Sequence, residues 1–84
     1  MNRTEILEGV VKILRPYEGR GATRITLTDS TMLSEDLDID SARLVDVVLD
    51  VEAKFGVTID DASLTKIKTV GDVVELVDGL VKAS

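Results

Sequence analysis

From Ile6 onward an apolar residue recurs every three or four positions, and Ile6, Val10, Ile13 and Tyr17 fall on one helical face. Asn2 and Glu5 have the spacing at which an N-cap side chain and an acid exchange hydrogen bonds, so a first helix is predicted from about residue 3 to about residue 15. Pro16 lacks an amide proton and its ring crowds the preceding turn, so it should end or kink that helix. A second stripe, Leu44, Val48, Val51 and Phe55, runs with Asp46, Asp50, Glu52 and Lys54 lying off it. Asp40 is placed to cap this segment and Gly56 to stop it, which predicts a helix over about Ser41 to Phe55. Asp60 heads a short third helix from Asp61 to Ile67. Thr69 and Asp72 repeat the capping-box spacing ahead of a fourth, with Val70, Val73, Val74, Val77, Leu80 and Val81 as its apolar face.

Valine is abundant and β-branched residues favour strands, so Val47-Val48 and Val73-Val74 could also be pieces of strand. Asp46, Asp50, Asp72, Glu75 and Asp78 interrupt the apolar positions at three- and four-residue spacings, not at every second position, and the period is therefore helical. The predicted fold class is all-α: a small four-helix bundle of three main helices plus one short helix, with a long loop between helices one and two. Gly19-Arg20-Gly21-Ala22-Thr23 opens that loop, and Ile25, Leu27, Met32, Leu33 and Leu37 are its expected inward anchors. So long a loop in a small domain is either functional or tied down.

The 84 residues are read as a single domain, 1–84, with one core. They contain no Cys and no His, which excludes a protein thiol nucleophile, a Cys/His zinc site and a Ser-His pair. Met1-Asn2-Arg3-Thr4-Glu5 lacks an apolar signal core and no apolar run is long enough to span a bilayer, so a cytoplasmic location is expected. Charge is unevenly placed: residues 1–28 carry +2, residues 29–61 carry −8 and residues 62–84 are neutral, for a net charge of −6. A field of that sign repels nucleic acid and anionic membrane, and steers basic protein surfaces toward the middle of the chain. Solubility alone would explain acids spread evenly, but not their concentration in this third.

Asp36, Asp38 and Asp40 alternate like the first ligands of an EF-hand loop. Counting from Asp36, however, the sixth position is Ser41 where Gly is required and the twelfth is Val47 where Glu is required, so no metal site is expected. If Asp40 caps the second helix, Ser41 lies in its first turn with its hydroxyl toward solvent. A phosphate carried there would meet the positive end of the helix. Taken alone, a serine in an early turn is an ordinary surface residue.

Its companions change that weighting. Glu35-Asp36-Leu37 leads into Asp40-Ser41-Ala42, and Val45-Asp46-Val47-Val48-Leu49-Asp50-Val51-Glu52-Ala53-Lys54-Phe55 continues as an acidic helix. Gly56-Val57-Thr58-Ile59-Asp60-Asp61 and Ile67-Lys68-Thr69-Val70-Gly71-Asp72-Val73 follow in order. This succession resembles the acyl carrier proteins, which have an acidic turn, an Asp-Ser-Leu tripeptide with 4'-phosphopantetheine on the serine, and an acidic helix ending near a Phe. The resemblance implies a carrier, not an enzyme. Ser41 would hold 4'-phosphopantetheine derived from coenzyme A, with Asp40 as flanking cap, and the arm would carry acyl intermediates as thioesters for enzymes of fatty-acid, lipid or specialised acyl metabolism.

The resemblance also implies partners: a phosphopantetheinyl transferase, and acyl-loading and acyl-modifying enzymes with basic docking surfaces, met by a monomeric carrier. Asp36, Asp38, Arg43, Val45, Asp46, Leu49 and Asp50 would form the docking face, and Leu44, Val48, Val51, Ile59 and Ile67 the acyl pocket. Val45 and Leu49 have a plainer reading, in which they only widen the buried face. Two other functions stay open, a discrete carrier for polyketide or aminoacyl intermediates and an unmodified helical adaptor for basic partners. Three departures from the family pattern stand out: Ala42 for the usual Leu, Asp38 where Gly is common, and Arg43 where an acid is frequent. They point toward a dedicated pathway.

Overall fold

In the computed structural model, which describes residues 2–17 and 27–83, Asn2 opens α1 (Arg3–Leu14) with both halves of a capping box. Asn2 Oδ1 accepts from the Glu5 N–H at 2.9 Å, and Glu5 Oε1 accepts from the Asn2 N–H at 3.2 Å. At Pro16 the chain tightens into a 3-10 turn, Arg15–Tyr17, and so continues one turn beyond α1. Ile6, Val10 and Leu14 are fully buried, whereas Ile13 and Tyr17 only pack against the core from its margin. Leu14 thus takes the inward place expected of Ile13. Residues 13 and 14 are about 100° apart on the helix, and spacing alone does not say which of them the neighbours cover.

α2 (Ser41–Phe55) ends at Gly56, whose φ of 66° is the left-handed conformation that closes a helix without a Cβ penalty. Its buried stripe is Val47, Val48 and Val51, with Leu44 and Phe55 half-buried on either side. Val47 belongs to the core although it lies off the predicted stripe, because a helix covered on two sides buries i+3 as well as i+4 positions. Both valine pairs are helical. Glu52 is tied to the chain that follows: its Oε2 accepts from the Ile59 N–H at 2.6 Å.

α3 (Asp61–Leu64) is capped by Asp60, whose Oδ1 accepts from the Ser63 N–H at 2.8 Å, and it stops short of the expected Ile67. Thr65 donates its hydroxyl to the Ala62 carbonyl at 2.8 Å, a local bond that competes with helix continuation. The turn that results swings Ile67 into the core. α4 (Val70–Ala83) begins with the predicted reciprocal pair: Thr69 Oγ1 accepts from the Asp72 N–H and Asp72 Oδ2 from the Thr69 N–H, both at 3.0 Å. Val70, Val73, Val74 and Val77 are buried, and Leu80 and Val81 half-buried.

The architecture is thus helical, with three long α-helices and one short among the described residues and α1 packed against both α4 and α2. The described part of the long connection lies on the start of α4. Leu33 N–H donates to Lys68 O, Val70 N–H to Thr31 O and Gly71 N–H to Asp29 O, each at 2.9 Å. Met32 and Thr69 form an isolated antiparallel bridge, and no strand occurs among the described residues. Leu33 and Leu37 are buried as expected, Leu27 and Met32 only half so, and Ile25 lies outside the described residues. Arg3 crosses the same junction, pairing with Asp29 at 3.1 Å and Glu75 at 3.9 Å. No described helix is long and apolar enough to cross a membrane.

Candidate functional site

The approach to α2 is held by backbone bonds and one acid. Asp36 Oδ2 accepts from the Met32 N–H at 2.7 Å while the Asp36 and Leu37 N–H groups return to Met32 O, which closes a turn over residues 32–37. Asp36 is therefore engaged with the backbone as much as with the surface. Asp38 then adopts a φ of 55°, a left-handed conformation uncommon for a side-chain-bearing residue and tolerated best by Asn and Asp. This is the physical reason a glycine suits the position. The reversal returns Ile39 to the core, where its N–H donates to Leu33 O at 2.9 Å.

Asp40 is extended and caps α2: Oδ1 accepts from the Arg43 N–H at 2.9 Å, and its carbonyl from the Leu44 N–H at 2.9 Å. Ser41 stands between buried Ile39 and half-buried Leu44, so its backbone is fixed on both sides while the residue itself is exposed. Ala42 and Arg43 are exposed with it. Among the described residues no three acids converge to hold a metal ion.

A cavity of about 640 Å³ opens beside Ser41, bounded by the 32–37 turn, the start of α2 and the chain after α3. Leu33, Ile39, Leu44, Leu64 and Ile67 supply its apolar lining, and Ser34, Glu35, Thr65 and Lys68 its polar one. A second hollow of about 270 Å³ lies between Leu44, Val45, Leu64 and Thr65, again touching Ser41. Of the five residues expected to shelter an acyl chain, Leu44 and Ile67 line the larger cavity. Val48, Val51 and Ile59 are core residues outside its lining. Ile39, Leu64, Thr65 and Lys68 line it without having been expected there. The sequence signal for Ile39 is slight, an isolated apolar residue in an acidic run.

On the outward face of α2, Val45 is 49% and Leu49 56% exposed, so neither widens the core. Asp46 and Asp50 lie exposed, each directly after one of them. Tyr17 donates its hydroxyl to Asp50 Oδ2 at 2.6 Å, and that bond, with desolvation and the charges of Asp50 and Asp46, pushes the Tyr17 phenol up to about 12. Near the cavity, the Ser63 hydroxyl and N–H hold the Asp60 carboxyl below its usual range, and the Lys68 and Thr69 N–H groups do the same for Asp72.

A family model described as the phosphopantetheine attachment site matches residues 8–77. The chain belongs to the acyl carrier protein family. An acyl carrier protein of Thermotoga maritima is 43% identical over 77 residues, covering 92% of this chain and 93% of the relative. A meromycolate extension acyl carrier protein of Mycobacterium leprae is 36% identical over 80 residues, covering 95% of this chain and 68% of the relative. Among solved structures, an acyl carrier protein from Enterococcus faecalis superposes with a TM-score of 0.75 at 34% identity, covering 95% of this chain and 99% of that one.

The carrier's cofactor is accordingly 4'-phosphopantetheine, and its work is carriage, not catalysis. The site fits such a group in two ways. An exposed hydroxyl at the start of a 15-residue helix suits a phosphodiester, and a cavity lined by both apolar and polar side chains suits an arm of amides and methylenes. Membership also implies a phosphopantetheinyl transferase and acyl-modifying enzymes as partners.

Proposed function

We propose that Ser41 receives the phosphopantetheine arm and that the exposed face of α2 guides partner enzymes to it. The observation that carries this is the placement of Ser41: exposed, in the first turn of a long capped helix, on the rim of the 640 Å³ cavity. The alternatives are less suited. Among the other described serines, Ser30 and Ser34 sit in turns before α2, and Ser63 is half-buried in a four-residue helix and bonded to Asp60.

In the transfer, Ser41 Oγ forms a new phosphate ester as the bond to the nucleotide portion of coenzyme A breaks. The chain has no His to take the hydroxyl proton, and the Asp40 carboxylate serves as the helix cap, bonded to the Arg43 N–H; the base is assigned to the transferase. Once attached, the arm offers a terminal thiol on which acyl groups travel as thioesters. Asp40 holds the helix start and therefore the backbone from which Oγ projects. Leu44 and Ile67 face the space into which an acyl chain folds back, with Leu33, Ile39 and Leu64 completing it.

Docking is assigned to Asp46 and Asp50 with Val45 and Leu49 beside them, and Asp38 and Arg43 at the end nearer Ser41. Apolar contact would give area and the acids would give steering. The arm itself raises the effective concentration of cargo at each enzyme, so docking need not be tight. The carrier acts as a monomer in the cytoplasm, where coenzyme A and the loading enzymes meet it. Arg43, Ala42 and the polar residues of the cavity favour a dedicated acyl pathway, with polyketide or aminoacyl cargo as the second reading.

Intact-mass spectrometry after incubation with coenzyme A, magnesium and a permissive transferase tests the assignment. One phosphopantetheine should be added to the wild type and none to Ser41→Ala. The same addition on both proteins would move the site elsewhere.

A further inference from the structure

We propose that Tyr17, outside α2, is a positioning residue of the docking face: its hydroxyl holds the Asp50 carboxylate in the orientation that a partner's guanidinium or ammonium group meets. The proposal rests on the reading of α2 as the docking face.

The geometry is specific. Pro16 sets the 3-10 turn that ends α1, and that turn carries Tyr17 across to the outward side of α2, where the phenol donates to Asp50 Oδ2 at 2.6 Å. A separation this short is typical of an O–H donor meeting an ionised carboxylate. The ring packs against the core while the bonded carboxylate belongs to an exposed residue, so one end of the pair is anchored and the other faces solvent. Asp50 directly follows Leu49, which is 56% exposed, and lies one helical turn beyond Asp46.

A carboxylate has two oxygens and room for about four hydrogen bonds, so the Tyr17 bond leaves capacity for an incoming cation. What the bond removes is rotamer freedom. An exposed aspartate must be ordered when a partner binds, and one already ordered loses less on association. Tyr17 would therefore raise affinity without touching the partner's reacting atoms. The surface that recognises enzymes would extend from α2 onto the end of α1.

The test measures docking and transfer separately, on the full chain. Titration calorimetry with a phosphopantetheinyl transferase in the absence of coenzyme A gives Kd for the wild type, Tyr17→Phe, Asp50→Asn and the double variant over a range of salt. Tyr17→Phe keeps the ring and the net charge, so Kd should rise roughly three- to tenfold with an unchanged salt slope. Asp50→Asn should weaken binding and flatten the slope, and adding Tyr17→Phe to it should change nothing further. Equal Kd for the wild type and Tyr17→Phe would overturn the proposal, as would an undiminished effect of Tyr17→Phe in the Asp50→Asn background. Steady-state transfer with coenzyme A should show the loss in KM with kcat preserved, which a general loosening of the fold would not produce. Modification of Ser41→Ala would count against the Ser41 assignment alone, because the calorimetric comparison does not depend on it.

Discussion

Gly9 of α1 lies against the ring of Phe55, the last residue of α2, so closely that a Cβ at position 9 would stand 2.7 Å from Phe55 Cζ and 2.9 Å from Lys54 Cε. The contact sets how near the two helices approach. Gly9→Ala would gain roughly 1 kcal/mol of helix propensity but force the ring out of place, at a cost of about 1–3 kcal/mol. The expected net effect is a loss of about 1 kcal/mol in urea unfolding. Adding Phe55→Leu should leave Gly9→Ala neutral or stabilising, and a stabilised single variant would show that the ring moves freely.

The left-handed conformation at Asp38, φ 55°, makes the opposite prediction for a glycine. Asp38→Gly relieves backbone strain and gives back part of the gain as unfolded-state entropy, for a net stabilisation of about 0.5 kcal/mol. A β-branched residue fits that conformation badly, so Asp38→Val should destabilise by ~1 kcal/mol or more. Urea midpoints of the three proteins check this. If the glycine variant is the least stable, position 38 is not left-handed in solution.

Tyr17 is the chain's single tyrosine and there is no tryptophan, so its phenolate absorbance can be followed without interference. The midpoint should lie near 12, not at the usual 10, because the phenol donates to Asp50. The sign follows from linkage. A group whose folded pKa is raised contributes stability that is complete below pH 10 and is lost as the pH climbs through about 12. Asp50→Asn should bring the midpoint back toward 10 and narrow the alkaline loss. An unmoved midpoint in that variant would assign the shift to burial.

Arg43 lies exposed on the first turn of α2, two residues past Ser41. Enzymes that expect an acidic surface there would meet like charge, a repulsion that discriminates between partners. Arg43→Glu is expected to improve turnover by general fatty-acid synthesis enzymes and to impair the carrier's dedicated loading enzyme. Its stability should hold or rise by roughly a few tenths of a kcal/mol, since an acid suits the start of a helix. Unchanged kinetics with both enzyme sets would make Arg43 an ordinary surface residue.

The helices themselves were legible because their signals are local. Asn2 with Glu5, Asp40 with the Arg43 N–H, Asp60 with the Ser63 N–H, and Thr69 with Asp72 all join residues three apart. Interrupted valine runs gave the helical period for the same reason. Local competition is harder to see in a sequence. The Thr65 hydroxyl on the Ala62 carbonyl ends α3 early, and nothing in the apolar pattern distinguishes that serine-and-threonine turn from one more turn of helix.

By itself the sequence determined the helical class and the caps, which depend on residues within a few positions of one another, and the acidic middle of the chain and the candidacy of Ser41, which need only the order of residues along it. Only the tertiary structure decided that Leu14 and Val47 are core, that Val45 and Leu49 face outward, and that the cavity beside Ser41 is walled by Ile39, Leu64 and Ile67. It alone joined Tyr17 to Asp50 across 33 positions and Gly9 to Phe55. The physical reason is that burial and long-range contact depend on what covers a helix face. That is set by how separate elements pack, and no periodicity within one element records its neighbours.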